Sequence, residues 1–206
     1  MLALLHPVPR PKPGQIRVAC VGDSITYGYR VQGRRANCYP SRLGKLLGEG
    51  YCVGNFGFSG RTAVENGDHP YTKTRLYRQS LAWKPDIVLL MLGTNDSKPY
   101  NWDAAAYERD MGKLIDAYRA VGSRVYLLLS PPVFPVDGAV KFDISSEVLE
   151  NEILPICRVL SERRDVVLID AHSNFENRPD LYADGVHLNR LGADTLAKSI
   201  YKSMRY

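Results

Sequence analysis

Three short stretches carry residues whose types suit one chemistry. Gly22-Asp23-Ser24 ends an apolar run, Gly93-Thr94-Asn95-Asp96 ends another, and Asp184-Gly185-Val186-His187 lies near the C-terminus. Acyl transfer needs a nucleophile, a base, a group to orient that base, and donors aimed at a developing oxyanion. Ser24 at the end of a strand would expose its hydroxyl beside backbone N–H groups, although a serine at such a junction also reads as a helix N-cap. Asp184 and His187, three residues apart, share a face if the chain makes one turn, so that Asp184 holds Nδ1–H and leaves Nε2 for Ser24. A second pair competes: Asp170 and His172, on an extended segment, project to the same side. Ser59 in "GFSGR" is a rival nucleophile that lacks the final glycine of a G-x-S-x-G elbow. The Asn95 amide and a glycine N–H are candidate oxyanion donors, while "GTND" alone also reads as a turn.

Other chemistries find less to work with. Gly22 and Gly28 are followed by Tyr29-Arg30 and not by Gly-Lys-Ser/Thr, and Gly54, Gly57 and Gly60 do not make G-x-G-x-x-G, so neither nucleotide fingerprint is present. His6, His69, His172 and His187 are far apart, and Cys20, Cys38, Cys52 and Cys157 show neither C-x-x-C nor zinc spacing, so no metal and no cofactor is expected. The cysteines read as reduced, partly buried thiols. The formal net charge is +5, but the basic residues are scattered and leave no concentrated footprint for nucleic acid. No apolar stretch has the length of a membrane span.

The elements that must position these residues follow from patterning. Continuously apolar runs at 16–22, 86–93, 124–130 and 165–170, with a weaker fifth at 51–57, are what strands covered on both faces require. Helical stripes fill the gaps. One runs from an Asp103 cap through Tyr107, Met111, Leu114, Ile115 and Tyr118; another begins near Pro40; the last carries Ala193, Leu196, Ala197, Ile200 and Met204. Residues 145–162 are helical in pattern but interrupted by Pro155. The alternation predicts a three-layer α/β/α sandwich around a central five-stranded parallel sheet. A ligand site is then expected beyond the carboxyl ends of the strands, where the polar residues converge. The 206 residues read as a Pro-rich N-terminal arm (1–14) and one domain (15–206). The start lacks a proper apolar signal region and a cleavage site, which predicts a cytoplasmic protein unless a signal was trimmed.

"GDS" at 22–24, "NFGFSG" at 55–60, "GTND" at 93–96 and "DGVH" at 184–187, in that order, resemble the four motif blocks of SGNH hydrolases, also called GDSL esterases and lipases. The resemblance implies a flavodoxin-like fold, with Ser24 as nucleophile, His187 as base and Asp184 as its orienting acid. It implies an oxyanion hole from the Ser24 N–H, the Gly60 N–H and the Asn95 side chain, with Gly57 a rival to Gly60. It reduces Ser59, Asp170 and His172 to structural roles. The third block continues through Lys98, Tyr100 and Trp102, whose aromatic faces suggest stacking on a sugar. With Asp23, the two aromatics are the expected substrate contacts. The predicted partner is a small-molecule or oligosaccharide ester, with acetyl groups on carbohydrate favoured. A lysophospholipase, thioesterase or acyltransferase using the same triad is the alternative, and so is a non-catalytic flavodoxin-like binding module. Asn95-Asp96-Ser97 matches a glycosylation sequon, which an oxyanion role for Asn95 sets aside.

Overall fold

In the computed structural model, which describes residues 7–204, each continuously apolar run becomes a parallel strand, buried in β1, β3 and β4 apart from their first residues and only partly buried in β2 and β5. Along the chain come β1 (Ile16–Gly22), α1 (Ser24–Tyr27), α2 (Arg34–Asn37), α3 (Tyr39–Leu47), β2 (Tyr51–Gly57), α4 (Arg75–Ala82), β3 (Ile87–Met91) and α5 (Ala104–Ala120). Then follow β4 (Arg124–Leu128), α6 (Ser146–Val148), α7 (Leu154–Arg163), β5 (Val167–Ile169) and α8 (Arg190–Ser203). The five strands lie in the order β2-β1-β3-β4-β5, all parallel.

Alternate strand residues build two cores. Ala19, Val21, Val88, Leu90 and Leu127 pack with Leu76, Met111, Leu114 and Leu160 of α4, α5 and α7. Val18, Cys20, Leu89, Met91 and Leu128 pack on the other face with Leu43, Leu196 and Ile200 of α3 and α8. Burial on both faces is why these strands show no polar alternation. The four cysteines are buried thiols that form no disulfide.

Asp103 caps α5 as its sequence predicts, accepting the Ala106 N–H at 2.9 Å. Across 145–163 the chain keeps its direction despite Pro155: a π turn at Leu149–Ile153 links α6 to α7, and Pro155 falls in the first turn of α7 where its missing N–H does least harm. Of the expected arm, residues 1–6 lie outside the described residues. Of its remainder, Val8 packs against the core and the Trp83 indole donates to the Pro9 carbonyl at 3.0 Å, while residues 10–14 are exposed.

In this strand order the chain steps from β1 out to β2 and then back across to β3. The switch point therefore falls between β1 and β3, and their carboxyl ends flank the crevice where such sheets bind ligands. Ser24 follows β1 and Asn95 follows β3.

Candidate active site

Ser24 is the first residue of α1, a single turn. The cap is Asp23, whose carboxylate accepts the Ile25 N–H at 2.9 Å. The Ser24 hydroxyl is thus spared the capping role that its position suggested, and it lies 3.0 Å from His187 Nε2. His187 Nδ1 lies 2.9 Å from one oxygen of Asp184 and 3.1 Å from the other. The Asp184 carboxylate also accepts the backbone N–H groups of Val186 and His187, at 3.2 and 2.8 Å. One side chain therefore fixes both the turn and the ring. With Nδ1–H donated to Asp184, Nε2 is left to accept the Ser24 proton. All three residues are buried.

The electrostatics suit that assignment. Burial would raise the Asp184 carboxyl, but the N–H groups and ring of His187 outweigh it and hold it below the usual carboxylate range. For His187, burial and the Arg30 charge together outweigh the attraction of Asp184 and lower its pKa, so the neutral base predominates near neutrality. Arg30 Nε stands 3.6 Å from Asp184.

The competing groups are elsewhere. Asp170 pairs with Arg158 at 3.0 Å and accepts the Ser173 N–H, while His172 Nδ1 lies 2.9 Å from the Ser130 carbonyl. The two side chains serve different loops. Ser59 does line the cleft that holds Ser24, but among the described residues no imidazole is bonded to it.

Three loops meet at the expected oxyanion position. Gly60 lines the cleft with φ +77°, a left-handed backbone that glycine adopts without strain. Among the described residues neither its N–H nor that of Ser24 has a hydrogen-bond acceptor. The rival Gly57 N–H is occupied by Asn55 Oδ1 at 2.9 Å. Asn95 donates through Nδ2 to Asp23 and to the Arg61 carbonyl, each at 3.2 Å. Asp96, fully buried, accepts the N–H groups of Ala63 and Val64 at 2.9 Å and so ties the third motif block to the loop that follows the second.

The cleft has a volume of about 200 Å³. Beside Ser24, His187, Gly60 and Asn95 it is walled by Tyr29, Phe142, Ile144 and Val186, with Thr94 and Lys98 also lining it. The three expected substrate contacts are not among its walls. Asp23 is spent on the α1 cap and Asn95. Trp102 donates to Glu152 at 3.0 Å and packs on Tyr107; Tyr100 is exposed. The chain turns after Asn95, with the Trp102 N–H bonded back to the Lys98 carbonyl, and it is Lys98, 5.8 Å from the Tyr100 ring, that reaches the cleft. Tyr29 could have been noticed five residues after Ser24, and Val186 lies inside the fourth motif block, but no spacing in the sequence marks Phe142 or Ile144. Among the described residues no group of three or more His, Cys, Asp or Glu side chains gathers as a metal ion would need, and no helix is long and apolar enough to cross a membrane.

The family model for the GDSL-like lipase/acylhydrolase family matches residues 20–194. An acetylxylan esterase of Xylanibacter ruminicola is 34% identical over 222 residues, covering 98% of this chain and 45% of that protein. A multidomain esterase of Ruminococcus flavefaciens is 28% identical, over 96% of this chain and 30% of that protein. The chain thus spans less than half the length of either relative. Among solved structures, a carbohydrate acetylesterase from Sinorhizobium meliloti superposes with a TM-score of 0.72 at 22% identity, over 93% of this chain and 99% of that one, which establishes the shared fold.

Proposed function

The chain belongs to the GDSL-like lipase/acylhydrolase family, and from that premise we propose that it is a serine esterase acting on short acyl groups, above all acetyl esters of carbohydrate. The observation that carries the reading is the continuous line from Ser24 Oγ through His187 to Asp184, with links of 3.0 and 2.9 Å.

His187 takes the hydroxyl proton as Ser24 Oγ attacks the ester carbonyl. The oxyanion is held by the N–H groups of Ser24 and Gly60 and by Asn95 Nδ2, one of whose long bonds to Asp23 or Arg61 gives way to it. Collapse breaks the ester C–O bond, and the alcohol leaves with the proton from His187. Water then attacks the acyl-enzyme, with His187 again the base, and acetate is released.

Two observations favour a small acyl group on a sugar. The cleft, at about 200 Å³, is below the usual size of a site for a larger ligand. The relative with 34% identity is an acetylxylan esterase. The test compares hydrolysis of an aryl acetate and an aryl octanoate by the wild type and by Ser24→Ala. We expect the acetate to be the better substrate and Ser24→Ala to lower kcat by about 10⁴-fold or more. Octanoate preferred would move the substrate to long-chain lipids or thioesters, and no hydrolysis of either would leave a binding module.

A further inference from the structure

The proposed reaction needs a seat for the alcohol half of the ester. Because His187 Nε2 delivers the proton to the leaving oxygen, that alcohol lies against the imidazole. Two rings already stand there. Tyr29 and Phe142 meet His187 edge-on, with centroids 4.7 and 5.1 Å away and interplanar angles of 68° and 76°. Both line the cleft, and both are open to solvent, at 38% and 45% exposure, unlike the large rings of the cores.

The backbone is left-handed at Phe142 itself and at the neighbour of Tyr29. Phe142 has φ +65°, and Arg30, the residue after Tyr29, has φ +67°. A bulky side chain in the left-handed region is strained and persists where its surroundings hold it, most often at functional sites. Arg30 braces this edge, with its guanidinium 5.2 Å from the Tyr29 ring and 3.6 Å from Asp184. Gly60 and Asn95, which line the same cleft, are already assigned to the oxyanion and are not in ring contact with His187.

We propose that Tyr29 and Phe142 form the alcohol subsite, an aromatic pair that receives the C–H faces of a cyclic polyol, the sugar ring bearing the ester. The inference rests on the esterase reading of Ser24 and His187. A sugar ring presents an apolar face to two rings at once, whereas a short linear alcohol has no such face to bury.

The test uses an acetylated xylo-oligosaccharide and ethyl acetate as paired substrates, with Tyr29→Ala and Phe142→Ala as variants. Each variant should lower kcat/KM for the oligosaccharide about tenfold, chiefly through KM, and should lower its ratio to the ethyl acetate value by a similar factor. In a Ser24→Ala background, calorimetry should show the same two changes weakening oligosaccharide binding about tenfold. Both rings are partly exposed, so thermal midpoints should stay within about 2 °C of the parent. Equal losses on both esters with KM unchanged would overturn the proposal, because the rings would then only steady His187. An unchanged ratio with unchanged affinity would overturn it too. If the wild type hydrolyses neither ester, yet Ser24→Ala binds the sugar and loses it on Phe142→Ala, the esterase reading fails while the subsite stands.

Discussion

At the scale of single residues, the site turns on the protonation of His187. Burial and the Arg30 charge depress its pKa, and Asp184 opposes them without prevailing. A base must be neutral to accept the Ser24 proton, so kcat/KM should fall on the acid side as His187 protonates, below the range of an ordinary histidine. Arg30→Gln removes one of the two depressing influences. Its acid limb should therefore move to higher pH. Because the Arg30 side chain is 55% exposed, the difference between variant and wild type should shrink in about 1 M salt, where charges are screened within a few ångströms. A pH–rate profile of each protein at low and high salt is the measurement. A limb that stays in place would mean that Arg30 acts on Asp184 by position and not by charge.

At the scale of elements, the serine is placed by a close approach between β2 and α1. A Cβ on Gly57 would lie 2.2 Å from the Tyr27 nitrogen and 2.6 Å from the Thr26 carbonyl carbon, so the one-turn helix that begins at Ser24 would have to shift. Gly57→Ala should cost about 1–3 kcal/mol in stability and about 10²-fold in kcat, since a displacement near 1 Å is enough to misalign reacting groups. Gly44→Ala is the control, because its Cβ would meet Val53 at an ordinary 3.5 Å and should leave turnover intact. Steady-state kinetics with thermal denaturation of both variants decides. The strands that frame this approach were legible because continuous apolarity is a strong local signal, and β1 and β2 have the bounds their apolar runs predict. Helix α4 left no such trace, since RLYRQSLA buries only Leu76 and Ser80. The four motif blocks led to Ser24, Asp184 and His187 because each follows a strand or precedes a helix at the sheet edge. Phe142 stayed hidden because no motif or spacing ties it to the four blocks, and Trp102 was misplaced because nearness in sequence to Asn95 is undone by a turn.

At the scale of the whole molecule, stability and activity should run in opposite directions on the acid side of neutrality. Asp23 and Asp96 are both fully buried, and burial pushes each carboxyl up to about 7 against the N–H bonds they accept. In the unfolded chain both would ionise near their ordinary value of 3.8. Between about pH 4 and pH 7 the folded state therefore holds more protons than the unfolded one, so these two groups make stability fall as pH rises through that window. His187 works the other way: its depressed pKa lets the unfolded chain bind the extra proton, so its contribution is lost as pH falls below 6.5. Asp110 is held down at about 2, because Arg109, Lys113 and the Glu65 N–H overcome its burial, and it matters only below the ordinary carboxylate range. Two carboxyls against one imidazole should leave the urea midpoint higher near pH 5 than near pH 8. Asp96→Asn, which removes one of the two, should flatten that slope, and His187→Gln, which removes the opposing group, should steepen it. A midpoint that rises from pH 5 to pH 8 would mean that the N–H groups of Ala63 and Val64 keep Asp96 ionised after all. The charge at the base of the oxyanion loop would then be a stabilising contact, and Asp96→Asn would weaken the fold at every pH.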